Sequence, residues 1–222
     1  MSGIAKWSIW FAATTCAVTV SYLWLDRPLA LLAHEHAGSY DLFAKLTYIP
    51  GALLPVVIIA FAVIALRALN GKTLSKLATV VVLAAASLAI ATAIKDQLKF
   101  AFGRTWPETW VRNNPSFIRD GVFGCEPFHG GPGYQAFPSG HTTAICAIMS
   151  VLWICYPRFR ALYALCMVSI ALVLVAANFH FLGDVIAGAF LGISTGWLTV
   201  AIWEAGARQV RGAEPAMKQA DD

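Results

Sequence analysis

The sequence predicts an all-α protein, a six-transmembrane-helix bundle with a long extracytoplasmic loop between helices 3 and 4. Three observations predict it. Of the 222 residues, 59% are hydrophobic and 13% charged, and the mean hydropathy is +0.67. Soluble domains average about 45–50% apolar and about 25% charged residues. The apolar residues also fall into six runs, near 7–25, 50–69, 76–98, 140–156, 160–179 and 185–203. Each approaches the ~20 residues a helix needs to cross hydrocarbon. Finally, the unusual polar residues collect at run ends that alternation of the spans brings to one membrane face.

Each run is assigned to helix because a segment in lipid must satisfy its own backbone hydrogen bonds. The first follows Lys6 but leads into Trp24-Leu25-Asp26 without a small-residue cleavage pattern, so it reads as a span and not as a leader. Residues 26–49 mix Leu29, Leu31, Leu32, Leu42, Phe43 and Leu46 with polar residues, the pattern of a helix lying along the interface. The short connections around Arg67–Lys76 and Arg158–Arg160 are basic and lack Asp or Glu, which places them and both termini in the cytoplasm. Residues 99–138 are rich in Gly, Pro, Asn and aromatics and form the long outer loop, and a loop of that length in a compact protein is usually functional or disordered. The chain after Ala205 is polar and is expected to fray.

The net charge of +4 is scattered among apolar stretches, which excludes a nucleic-acid footprint and suits anionic lipid headgroups. Of the five cysteines, four lie in apolar runs and Cys125 stands alone in the loop, with neither disulfide nor zinc spacing. His34 and His36 flank Glu35, but in a segment that reads as solvated interface.

The polar residues at the run ends suit phosphate chemistry. Lys95 and Lys99 share a helix face at the end of the third run. Lys95 beside Asp96 reads first as a lysine snorkelling to the headgroups, whereas Lys99, close to Gly103-Arg104, reads as an anion contact. Ser139 is an N-cap opening the fourth helix, where the first N–H groups meet an anion and Gly140 allows close approach. His141 follows. His180 and Asp184 are spaced i, i+4, so the carboxylate can fix the imidazole tautomer and leave the other nitrogen free to attack. Read alone, that pair is a structural hydrogen bond; beside His141 and Lys99 it is a site. Trp106 and Trp110 suit the headgroup level.

These residues resemble the type 2 phosphatidic acid phosphatase superfamily of integral membrane lipid phosphatases, whose signature combines Lys-x6-Arg-Pro, Pro-Ser-Gly-His and Ser-Arg-x5-His-x3-Asp. Pro138-Ser139-Gly140-His141 is complete, as are His180-x3-Asp184 and, in the first element, Lys99 and Pro107. Two arginines are missing: Trp106 occupies the first position, and Val173-Leu174 stand where Ser-Arg is expected. The resemblance implies a membrane phosphatase-like domain over 1–205, a polar cytoplasmic tail over 206–222, and a site facing the periplasm of a bacterial inner membrane. It implies metal-independent removal of phosphate from a lipid: phosphatidic acid, phosphatidylglycerophosphate, polyprenyl diphosphate or lipid A phosphate. His180 would be the nucleophile, held by Asp184, with His141 as acid and base. Lys99, Arg104, Ser139 and Gly140 would bind phosphate. Arg104 is the expected substitute for the lost arginines; Arg112, Arg119, His129 and Lys95 are further candidates, and Asn178 a weaker one. No cofactor is implied. The competing readings are a lipid phosphotransferase and a non-catalytic protein that binds anionic lipid; an intramembrane transporter would place its ionisable groups nearer mid-bilayer.

Overall fold

The computed structural model describes residues 3–36, 73–110 and 112–220, with isolated positions between 59 and 71 and side chains through residue 209. Its elements are helical: α1 (Gly3–Val20), a π-turn (Ser21–Leu25), α2 (Asp26–His36), α3 (Lys76–Phe102), the short α4 (Phe117–Asp120), α5 (Gly140–Cys155), α6 (Arg160–Ala176) and α7 (Leu182–Ala220). Among the described residues there is no β-strand, only isolated bridges inside the loop between α3 and α5. Among the described residues, four segments are long and apolar enough to cross a bilayer: Gly3–His36, Lys76–Phe102, Pro157–Ala176 and Leu182–Gln209. The 16-residue α5 is apolar but shorter. The second apolar run and the segment 37–49 fall almost entirely outside the described residues.

Two boundaries differ from expectation. Residues 26–36 do not begin a separate interfacial helix but continue α1 through the π-turn. Five-residue spacing there stacks Asp26 over Ser21: the Asp26 amide donates to the Ser21 carbonyl, and the Ser21 hydroxyl donates to Asp26 Oδ1 at 2.6 Å. After Ala205, where fraying is expected, the α7 backbone continues as helix to Ala220. Ala, Arg, Gln, Glu and Lys predominate there, and all are good helix formers.

Helix ends follow local chemistry. Ser75 caps α3 by accepting from the Ala78 amide, and Ser139 caps α5 by accepting from Thr142. Gly103 ends α3 in the left-handed region (φ 55°), and a Cβ there would lie 1.8 Å from the Glu126 carbonyl oxygen, so only glycine fits. Asn178 (φ 57°) turns the chain after α6, and its Nδ2 donates to the Ala30 carbonyl at 3.0 Å, tying α2 to the α6–α7 link.

Glycine sets the closest packing. Gly188, Gly192 and Gly196 recur every fourth residue on α7 and face α5: added Cβ atoms would lie 2.6 Å from the Ser139 carbonyl oxygen, 2.4 Å from that of Thr143 and 1.9 Å from Ser150 Oγ. Small residues let helix backbones approach where lipid supplies no hydrophobic drive between helices. The Ser87 hydroxyl donates to the Ala147 carbonyl at 3.0 Å, joining α3 to α5. Val80, Leu83, Val151 and Val200 form a core cluster between α3, α5 and α7. On α1, Trp7 and Phe11 pack against Phe190 of α7. Leu162, Leu165, Val168 and Leu172 leave an exposed apolar face along α6, which suits contact with lipid.

Candidate active site

The start of α5, the start of α7 and the end of α3 converge under the loop 103–139. The backbone joins two of them directly, for the Ser139 amide donates to the Asp184 carbonyl at 3.0 Å. His141, two residues beyond Ser139, therefore opens α5 at the end of the bundle that carries His180 and Asp184.

Asp184 is fully buried and each carboxylate oxygen has its own partner. Oδ1 accepts from Arg104 Nη1 at 2.6 Å; Oδ2 accepts from the Phe181 amide at 3.0 Å and lies 3.5 Å from His180 Nδ1. At that distance the imidazole contact is electrostatic without a formed hydrogen bond, and Nδ1 has no hydrogen-bond partner among the described residues. His180, 3% exposed, is also packed against the Trp106 indole, with ring centroids 5.1 Å apart.

The structure gives Arg104 a different setting from the phosphate contact expected of it. Gly103 does turn it away from α3, but inward: it is 2% exposed, and its two terminal nitrogens bind Asp184 and Asp26. Phe181, Tyr22 and Phe123 wall the guanidinium, at 4.6, 5.1 and 5.6 Å from their ring centres. Asp26 completes the cluster, with Oδ1 accepting from the Ser21 hydroxyl and from the Gly183 amide at 3.0 Å.

Lys99 reaches the site from the last turn of α3: its ammonium donates to the Gln135 carbonyl and lies 5.7 Å from the Trp106 ring centre. Lys95, first read as a snorkelling lysine, reaches inward as well. Its Nζ pairs with Asp96 at 2.7 Å and lies 3.9 Å from where a Cβ on Gly140 would stand, which puts a cation beside the α5 N-terminus.

The remaining candidates have other surroundings. Arg119 directs its donors to Asp120, Asn113 and the Asn114 carbonyl. His129 lies over Tyr134 and its Nδ1 contacts the Gly130 carbonyl. Arg112 is exposed. Asn178 holds Ala30, as described above. His34 pairs with Glu108 at 3.0 Å, and His36 turns back to the Leu32 carbonyl. Leu174, at the second missing arginine, is fully buried, and its carbonyl accepts from the Phe179 and His180 amides. Trp110, expected at the headgroup level, stacks on Phe179 at 4.1 Å and donates to the Asn178 carbonyl.

Sequence reasoning missed Asp26 and Ser21. The available signal was a charged residue directly abutting an apolar run, which tends to mark function or a buried partner.

Burial, aided by Lys99 and opposed by Asp184, pulls the His180 pKa below its usual 6.5. The ring is therefore mainly neutral at pH 7. The unfolded chain binds a proton at 6.5 that the folded chain resists, so the stability gained by burying the neutral ring is present above pH 6.5 and is lost as pH falls below it. Wherever turnover needs a neutral His180, the acid limb of kcat/KM lies below pH 6.5. A pH–rate profile with that limb at or above 6.5 would contradict the assignment.

The family model described as PAP2 superfamily matches residues 80–207, which include all of α5 and α6 with Lys95, Lys99, Arg104, Ser139, His141, His180 and Asp184, but not Ser21 or Asp26. A lipid A 1-phosphatase of Rhizobium etli is 32% identical over 107 residues, 48% of this chain and 42% of that protein. A lipid A 1-phosphatase of Rhizobium johnstonii is 31% identical over 110 residues, 50% of this chain and 42% of its own length. The matched region thus spans less than half the length of these curated relatives. A crystal structure of a transmembrane PAP2 type phosphatidylglycerolphosphate phosphatase from Bacillus subtilis aligns over 92% of this chain and 88% of its own, at 17% identity and a TM-score of 0.42.

Proposed function

We propose, from the premise that this chain belongs to the PAP2 superfamily, that it hydrolyses a phosphate ester on a membrane lipid through a phosphohistidine. The observation that carries the proposal is the buried His180–Asp184 pair beside the Pro138-Ser139-Gly140-His141 helix start, joined through the Ser139 amide. His180 attacks phosphorus through Nε2 while the leaving alkoxide takes a proton from His141. Water then attacks phosphorus and gives a proton to His141, the N–P bond breaks, and inorganic phosphate leaves. Lys99, Lys95 and the N–H groups of the first α5 turn stabilise the charge on the phosphoryl oxygens. Arg104 acts behind Asp184 instead of on phosphate.

An apolar cleft of about 850 Å³ supports a substrate anchored in the bilayer. It runs between α1, α3 and α7 past Phe11, Ile94, Leu98 and Phe190 and reaches Phe137 and Pro138, next to the site. An acyl chain in this cleft leaves its phosphate at the start of α5. The relatives favour lipid A carrying a 1-phosphate as first substrate to try. The proposal includes six spans, with residues 50–69 as the second, one domain over 1–205, and a site facing the periplasm from a bacterial inner membrane.

The test is phosphate release by the purified protein in detergent, with chelator present, from lipid A, phosphatidic acid, phosphatidylglycerophosphate and polyprenyl diphosphate. We expect turnover of lipid A, none detectable for His180→Ala, and a loss of about 10²–10⁴-fold for His141→Ala. No turnover of any lipid by the intact protein would instead favour a site that only binds anionic lipid.

A further inference from the structure

We propose that Asp26 is a positioning residue of the reaction, sharing the Arg104 guanidinium so that Asp184 keeps its charge for the imidazole of His180. This rests on the phosphohistidine reading. Arg104 bridges the two carboxylates: Asp26 and Asp184 take one terminal nitrogen each, and all three side chains are almost fully buried. Two carboxylates and one guanidinium leave the cluster one net negative charge. A guanidinium paired with Asp184 alone would cancel the carboxylate that faces the ring. It would also be free to turn its planar fork onto both Asp184 oxygens, drawing Oδ2 from its 3.5 Å approach to Nδ1.

The fold around Asp26 is built for this task. The π-turn brings Ser21 under it, and the Gly183 amide donates to the same Oδ1, so Oδ2 is left for Arg104. A Cβ on Gly183 would come within 3.2 Å of Asp26 Oδ2 and 3.3 Å of Arg104 Nη1, so the backbone between His180 and Asp184 rests directly on the pair. Asp26 is thereby coupled to the residues that hold the nucleophile, from a helix 157 positions earlier in the chain than Gly183.

The groups facing His180 are Asp184 from α7, Lys99 from α3, and the Ala136 carbonyl and Trp106 indole from the loop. Removing the charge of Asp26 leaves the cluster neutral, and a positive ring is then less favoured. In Asp26→Asn we expect kcat to fall roughly tenfold or more, with KM within about twofold, since a tenfold change corresponds to one pKa unit of lost charge stabilisation. The acid limb of kcat/KM moves to lower pH, because protonated His180 has lost part of its counter-charge. A merely structural role would reduce the active fraction without moving that limb.

The experiment measures kcat, KM and the pH–rate profile of wild type, Asp26→Asn, Ser21→Ala and His180→Ala on a lipid phosphate that the wild type hydrolyses. An active wild type with dead His180→Ala secures the underlying reading independently. A folded Asp26→Asn with unchanged kcat and an unmoved limb overturns the inference. Should Asp26→Asn not fold, Ser21→Ala decides: it keeps every charge but removes one bond that orients Asp26. A kcat about threefold or more below wild type at unchanged KM supports the proposal, and wild-type kcat overturns it.

Discussion

Arg104→Met should destabilise the protein by about 3–5 kcal/mol, the usual consequence of removing one partner from a buried ionic cluster. The side chain is 2% exposed and bonded to two carboxylates with almost no solvent access, so its loss leaves both Asp26 and Asp184 as buried charges without their counter-ion. Methionine fills much of the space between Tyr22, Phe123 and Phe181, so the change reports charge more than cavity. Arg104→Lys should recover only part of the loss, because an ammonium is a point charge and cannot reproduce a planar fork bridging two acceptors. The double variant Arg104→Met with Asp26→Asn should be more stable than Arg104→Met alone, since it removes one stranded charge. Thermal midpoints in detergent measure all three. A midpoint for Arg104→Met within a degree of wild type would show that water reaches the cluster and that the ion pairs are dispensable.

Gly192→Leu should cost about 3 kcal/mol, at the upper end of overpacking effects. Even a Cβ there lies 2.4 Å from the Thr143 carbonyl oxygen and 2.7 Å from the Ala147 amide nitrogen, and neither can move without its helix. The larger side chain must separate α5 from α7. That separation reaches the site, because the Ser139 amide and the Asp184 carbonyl are held 3.0 Å apart across the same interface. Since a misplacement of about 1 Å can cost about 10²-fold in rate, the loss of turnover should exceed the loss of folded protein. Gly206→Leu, where a Cβ meets nothing within 4 Å, is the matched control and should behave as wild type. Equal turnover for the two variants would mean that the α5–α7 spacing does not set the geometry of the site.

Much of this was legible in the chain because it is local. Apolar runs reveal helices, Ser139 reveals a cap, and His180 with Asp184 reveals a one-turn pair, since each depends on neighbours within a few positions. The Pro-Ser-Gly-His element and the His180–Asp184 pair are brought to one end of the bundle by the Ser139–Asp184 backbone bond. The pairing of Arg104 with Asp26 and Asp184 was not legible for an identifiable reason. Its distance from Lys99 and the turn at Gly103 predict that it leaves the helix, yet they do not say whether it meets solvent or a carboxylate.

Sequence alone therefore determined the helical class, the membrane as solvent, and the one-turn spacing of His180 and Asp184. Tertiary structure decided what surrounds that pair: Asp26 meets Arg104 across 78 residues, and Arg104 meets Asp184 across 80. Hydrophobic period and capping act over single turns, whereas a buried charge takes whichever partner the packed helices bring within reach. The π-turn at Ser21–Leu25 and the glycine face of α7 make those partners meet.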